Sequence, residues 1–299
     1  MPTATKTFTI GSRGSPLALW QARFIAVQLA KAGVESRVEI IKTTGDHMQS
    51  ASLALAGGKG LFTKEIEEAL LSGQIDLAVH SLKDLPTESP KGLTIAAVPL
   101  RANPFDAIVG ARLADLAHGA LVGTSSPRRA AQLRLLRPDL RIEAIRGNVD
   151  TRLRKLRGGE FDSILLAAAG LERLGLANEI AEVFTPDRLC PAPGQGALGV
   201  QTRVDDEAQM VCSRMNHAAS SQAVRAERAV LAGLGGGCQL PVGAYAQVED
   251  DTLTLSAVVV APDRPVRIQS EIAGRAGDAE WLGRSVADDL LAQGAGGLL

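Results

Sequence analysis

Aromatic residues make up only 3% of the 299-residue chain, and it holds just three cysteines and four histidines. So few aromatics leave little for the stacking platforms that hold single-stranded nucleic acid. Cys190, Cys212 and Cys238 are an odd number without C-x-x-C spacing, which disfavours a disulfide framework or a zinc site. The histidines lie far apart and form no H-E-x-x-H, so no metal is expected. No apolar run approaches the roughly 20 residues that span a bilayer, and the opening MPTATKTFTI has no signal-peptide core. A soluble, reduced, cytoplasmic protein without a membrane partner is expected. No long amphipathic seam suggests assembly, so a monomer is expected too.

What is present is an ordinary globular balance, 45% hydrophobic and 22% charged, long enough for two or three domains. Residues 5–100 alternate strand and helix patterns. TFTIGSR reads as a strand, SPLALWQARFIAVQLAKAG as a helix capped by Ser15 with Pro16 in its first turn, and SRVEIIKTT as a strand. GLFTKEIEEALLSG is helical and ends at Gly73, QIDLAVH is a short buried strand, and AAVP is another. Strands separated by helices imply a mostly parallel sheet. At ALVGTSSPRRAAQLRLL the opening is repeated: apolar strand, glycine, hydroxyl residues, then Ser-Pro into a helix. Two similar α/β lobes with a cleft between them are expected. From residue 218 the pattern changes to a helix, three strands joined by Asp-Asp and Pro-Asp turns, and a closing helix, a small α+β domain.

The charge is unevenly spread. Residues 124–157 hold nine arginines and one lysine against Asp139, Glu143 and Asp150, a balance of +7 in a chain of net charge −1, so the remainder carries −8. Arg134, Arg137, Arg154 and Arg157 suit a solvated helix face. Arg128, Arg129 and Arg146 fall at strand-to-helix junctions, where backbone N–H groups and the helix dipole favour anions. A guanidinium fork suits carboxylate or phosphate, so the stretch predicts a site for a multiply anionic ligand, with nucleic acid as competitor. HSLKDLP, residues 80–86, follows a strand and so lies at its carboxyl end, where open α/β sheets bind ligands. There Asp84 is either a surface partner of Lys83 or a catalytic carboxylate able to steady a cation.

Two glycine-rich stretches fail as nucleotide motifs. In AGGKGLF, residues 56–62, Leu53 stands where a phosphate loop needs its first glycine and Gly60 replaces the Ser or Thr, so a lid is expected. GQGALG, residues 194–199, lacks a strand before it and a helix after it. In GLGGGCQLPVGAYA, four of the five residues before Cys238 are glycines, which would let a thiol approach a bulky group closely. Cys190 and Cys212 read as buried apolar residues. A hydrolase nucleophile at Cys238 would want a histidine base, and sequence does not place His47, His80, His118 or His217 beside it.

Eight motifs in order, SRGSPLALWQA, GGKGLF, AVHSLKDLPT, VGTSSPRR, IRGNVDTRL, AAAGLERLGL, APGQGALG and GGGCQLPVGAYA, resemble the porphobilinogen deaminase (hydroxymethylbilane synthase) family over nearly the whole chain. The resemblance implies an α/β fold of two type II periplasmic-binding-protein-like lobes and a small C-terminal α+β domain. The lobes would be residues 1–99 completed by 197–217, and 100–196; the third domain would be 218–299. It also implies a dipyrromethane cofactor held by a thioether to Cys238, porphobilinogen as substrate, and head-to-tail condensation of porphobilinogen units into hydroxymethylbilane. Each unit would lose ammonia to give an azafulvenium cation. By motif match Asp84 is the catalytic carboxylate. Ser81, Lys83, Thr124, Ser126, Arg128, Arg129, Arg146 and Arg152 would hold cofactor carboxylates; Arg13, Ser15 and Arg173 would hold substrate, with Arg146 and Arg152 shared. Leu55 and Pro127 depart from the family pattern, at positions where lysine and leucine occur. A non-catalytic anion-binding module is the rival reading, and it has no use for the third domain or its cysteine.

Overall fold

The computed structural model describes residues 7–44, 63–237 and 240–299. The chain forms two compact units, Met1–Arg101 with Ala197–Ser221, and Ala102–Gly196 with Gln222–Leu299.

The first unit is built on five strands, β1 (Phe8–Ser12), β2 (Ser36–Ile40), β3 (Leu77–Ser81), β4 (Leu93–Ala97) and β10 (Leu198–Arg203). They lie in the order β2-β1-β3-β10-β4. β1 runs parallel to β2 and β3, whereas β10 is antiparallel to β3 and β4. Cores on both faces of the sheet explain the consecutive apolar residues Leu77, Ala78 and Val79 of β3. Leu77 and Val79 join Ile10, Ile25 and Leu29 in a core beneath helix α1 (Pro16–Lys31). Ala78 faces the other way, into a core with Ile66 and Leu70 of α2 (Lys64–Leu71). Each of these large side chains, when fully buried, contributes about 1.5–3 kcal/mol. A short helix, α6 (Glu207–Ser213), follows β10 and packs Ala208 and Cys212 into the α1 core.

The second unit repeats the plan. Its strands β5 (Asp106–Gly110), β6 (Leu121–Gly123), β7 (Arg141–Glu143), β8 (Ser163–Ala167) and β9 (Ile180–Val183) lie in the order β7-β6-β8-β5-β9. Here β5 is the antiparallel strand. Helices α3 (Pro127–Leu136), α4 (Val149–Arg157) and α5 (Ala168–Arg173) follow β6, β7 and β8. The repeated Ser-Pro motif has one structural cause. Ser15 Oγ accepts from Ala18 N and Ser126 Oγ from Arg129 N, and in both helices proline fills the first turn, where its missing N–H costs nothing. Each sheet is thus parallel over three neighbouring strands, and one strand in it runs against its neighbours. From Leu198, within GQGALG, the chain returns to the first sheet as β10, running against its neighbours.

The second unit also carries α7 (Ala218–Gly233) from Gln222 onward, three antiparallel strands β11 (Val242–Glu249), β12 (Thr252–Val260) and β13 (Arg267–Arg275), and α8 (Ala279–Ala292). Glu249 pairs with Thr252, so Asp250 and Asp251 alone make the β11–β12 turn, and Asp250 adopts the positive φ of 54° that such turns require. Val230, Leu234, Leu253, Leu255, Leu282, Val286 and Leu290 close the core between sheet and helices.

Candidate active site

In the first unit, the carboxyl ends of β1 and β3 bring together Arg13, Ser15, Ser81, Lys83 and Asp84. β3 ends at Ser81, and Leu82–Asp84 form a single 3₁₀ turn. Leu82 and Leu85 are buried and anchor the turn, which leaves Asp84 exposed between them. Leu82 N donates to the Ala197 carbonyl at 3.0 Å. The anchor explains Gly199 in the GQGALG motif: a Cβ there would stand 2.6 Å from Leu82 Cδ1. Gly196 sits at φ +81° with backbone oxygens of Ala102 and Asn103 against it. Both glycines serve close packing, in agreement with the rejection of dinucleotide binding. Ser81 Oγ accepts from Gln21 Nε2 at 2.7 Å.

In the second unit, Thr124, Ser126, Arg128, Arg129, Arg146, Arg152 and Arg173 follow the strands β6, β7 and β8. Thr124 is buried and its Oγ1 accepts from Ser126 N, which closes a tight turn ahead of α3. Asn148 caps α4 by accepting from Thr151 N, and Arg152 Nε donates to the Gly147 carbonyl at 2.8 Å. Gly147 has φ +111°, and a Cβ there would strike Thr151 at 2.6 Å. Arg146, just before it, is exposed. Arg173 donates to the Gly196 carbonyl at 2.7 Å, and its burial pulls its pKa down to about 10.

Arg128 and Arg129 sit in the second unit's interior. Arg128 is 3% exposed; it donates to both carboxylate oxygens of Asp106 at 2.6 and 3.2 Å, and to the Cys190 carbonyl at 2.6 Å. Arg129 Nε donates to Asp106 at 2.8 Å, and Gln195 Nε2 adds a further bond at 2.9 Å. Burial opposes ionisation of Asp106, but the two guanidinium charges outweigh it and hold the carboxyl well below the usual carboxylate range. Two cations on one anion leave the cluster at +1, and Arg128 Nε is a buried N–H without a partner among the described residues. Sequence reasoning missed Asp106 and Gln195. It also missed Glu227, a fully buried carboxylate on α7 that accepts from Gly194 N at 2.7 Å and Ala246 N at 2.8 Å. Each lies far in sequence from its partners, and no local pattern marks it.

Cys238 lies outside the described residues, as do Leu55, His47 and the 56–62 stretch. On the approach to Cys238, Gly235 and Gly236 have φ of 95° and 58°, which accounts for two of the glycines. Cys190 and Cys212 are buried, and that burial pushes both thiols up to about 12, so neither is a nucleophile at neutral pH. Among the described residues no cluster of His, Cys, Asp or Glu could hold a metal, and no helix is long and apolar enough to cross a membrane.

A donor set of hydroxyls, guanidiniums and one unsatisfied buried N–H fits a ligand that carries several carboxylates. The porphobilinogen deaminase dipyromethane cofactor binding domain matches residues 8–211, and the porphobilinogen deaminase C-terminal domain matches residues 221–292. The porphobilinogen deaminase of Thermus thermophilus is 52% identical over 296 residues, 97% of each chain. That of a Roseiflexus species is 52% identical over 301 residues, 98% of this chain and 99% of its own. Among solved structures, a periplasmic substrate-binding protein of an ABC transporter from Coxiella burnetii aligns over 70% of this chain and 91% of its own, at 14% identity and a TM-score of 0.45. Similarity through the C-terminal domain favours the transferase over the anion-binding module. The chain belongs to the porphobilinogen deaminase family, transferases that carry a dipyrromethane cofactor, deaminate and condense four porphobilinogen molecules upon it, and release hydroxymethylbilane.

Proposed function

We propose that Cys238 carries the dipyrromethane through a thioether and that Asp84 is the carboxylate at which each condensation is run. One observation carries the reading: in a chain of this family, an exposed carboxylate is fixed at the carboxyl end of a parallel strand by two buried leucines. When bound, the dipyrromethane supplies the free pyrrole α-carbon to which the first substrate ring is joined. Asp84 accepts hydrogen bonds from pyrrole N–H groups and steadies the positive charge left as ammonia departs. It then assists removal of the proton that bond formation releases.

Ser81, Lys83, Thr124, Ser126, Arg146 and Arg152 hold cofactor carboxylates, and Arg13, Ser15 and Arg173 hold substrate, with Arg146 and Arg152 shared. Arg128 and Arg129 belong to the cofactor set from a buried position. Nη1 of Arg128 makes two bonds and Nη2 one, and Nε is its nitrogen with no partner among the described residues. The working parts are residues 1–99 with 197–217, 100–196 and 218–299.

The protein acts as a cytoplasmic monomer without a nucleic-acid partner. Against a nucleic-acid partner, five of the ten cations in the basic stretch are paired with carboxylates of this chain. Besides Arg128 and Arg129, Arg137 pairs with Asp139, Arg141 with Glu143 and Arg157 with Glu179. Intact mass tests the central reading. Protein from a host that makes porphobilinogen should exceed its sequence mass by two linked pyrrole units, colour with acidic aldehyde reagent, and lose both signals in Cys238→Ser. Bare sequence mass in the wild type would refute it.

A further inference from the structure

Behind the Asp84 turn lies a buried histidine with no part in the reading above. His80 precedes Ser81 on β3, so alternation sends their side chains to opposite faces of the sheet. Ser81 is tied to Gln21 of α1 on one face. On the other, His80 Nε2 lies 3.1 Å from Gln201 Oε1 of β10, and Gln201 Nε2 donates to Glu67 Oε1 of α2 at 3.1 Å. Two carboxamides thus pin the end of β3 from both sides.

Donor and acceptor rules assign the protons along this chain. A carboxylate only accepts, so Glu67 takes the NH₂ end of the Gln201 amide. The other end, Oε1, only accepts as well, so His80 Nε2 carries the hydrogen and Nδ1 is a lone pair. The charged groups that bear on the ring are Arg13, at the end of β1, and Glu67, reached through Gln201. Gln21, from α1, is neutral. Burial and the Arg13 charge push the imidazole down to about 4, and the Gln201 bond only partly opposes them.

We propose that His80 is a positioning residue for the condensation: as a neutral Nε2–H imidazole on the chain His80–Gln201–Glu67, it holds the end of β3, and with it the Asp84 turn, in one arrangement. The proposal rests on the reading of Asp84 as the reacting carboxylate. A second charge beside Arg13, or loss of the N–H, would free the strand end that fixes Asp84. Misplacement on the scale of an ångström is enough to slow a reaction severely.

Nitrogen-15 histidine spectra of the holoenzyme test the assignment. The His80 ring should show the Nε2–H tautomer and no titration from pH 8 to about 5.5, more than a unit above its shifted value. An Nδ1–H tautomer, or titration in that range, would overturn the proposal. Two variants test the role. His80→Gln keeps a terminal N–H and is neutral at every pH, whereas His80→Leu keeps the bulk without the donor. With porphobilinogen as substrate, His80→Gln should stay within about threefold of wild-type kcat. His80→Leu should lose roughly ten- to a hundredfold in kcat per cofactor-loaded molecule with KM unchanged. Equal activity in the two variants, or a loss that merely follows the folded fraction in urea, would refute positioning. Turnover retained in Asp84→Ala would instead remove the underlying reading and leave the tautomer result standing, so the two failures are separable.

Discussion

The five-stranded sheets of the two units share a strand order and a Ser-capped, proline-started first helix, yet the side chains at their strand ends differ. In the first unit β3 leads into an exposed carboxylate, Asp84, and the carboxamides of Gln21 and Gln201 meet Ser81 and His80 at the strand's end. In the second the parallel strands end on hydroxyls and guanidiniums, with a buried carboxylate, Asp106, set among two of the arginines. In the proposed reading, one scaffold serves two tasks. Its strand ends and helix starts are positions where side chains change without disturbing the sheet, and residues placed there are free to become a reacting acid or a polyanion holder.

Removing the acid from the first unit should give the largest effect. Asp84→Ala should lower turnover by roughly 10²–10⁴-fold, the range for a positioned acid–base group. Because Asp84 is exposed and the turn hangs on Leu82 and Leu85, denaturant stability should match the wild type. Steady-state kinetics together with urea unfolding would decide it. Near-normal turnover would break the division of labour between the units.

The second unit predicts a stability effect where the first predicts a kinetic one. Asp106→Asn keeps the shape but leaves two buried guanidiniums uncompensated, a loss of about 3–5 kcal/mol in unfolding free energy. The pH dependence follows from the direction of the shift. The folded carboxyl lies below its ordinary value of 3.8, so its contribution is complete above that value and fades as pH falls towards the folded one. The gap between wild type and variant should therefore be flat from about pH 5 to 8 and narrow below about pH 4. A gap that widens in acid would overturn the pairing.

The same contrast explains what could be read from the sequence. Ser15–Pro16, Ser126–Pro127 and the Asp250–Asp251 turn were legible because each acts within four residues of chain. The strand-end location of Asp84 was legible for the same reason. Asp106 was not: it is 22 residues from Arg128, and a charge that opens an apolar strand looks like a solvated strand end. Nor was the fate of GQGALG. Its glycines answer to Leu82 and to the backbone of Ala102 and Asn103, contacts that no spacing encodes. Arg128 and Arg129 were placed at a helix start correctly, but their burial is set by a partner the local pattern does not show. The eight ordered motifs reached the family where local physics stopped at an anion site.

The smallest effect probes the shared feature itself. Ser15 and Ser126 each cap a helix through one hydroxyl, at 3.3 and 3.4 Å, so alanine at either should cost about 1 kcal/mol. If the capping hydroxyls are equivalent, the two losses should agree within a few tenths of a kcal/mol, the usual error of such comparisons. Function should then separate them. Ser126→Ala removes a hydroxyl assigned to the cofactor and should lower the fraction of protein that carries the two added pyrrole rings. Ser15→Ala leaves that fraction intact and should instead raise KM for porphobilinogen. Paired unfolding curves and intact masses make the comparison direct: equal stability with exchanged functional effects would reverse the roles given to the two units, whereas unequal stability would show that the repeated motif is not one structural device.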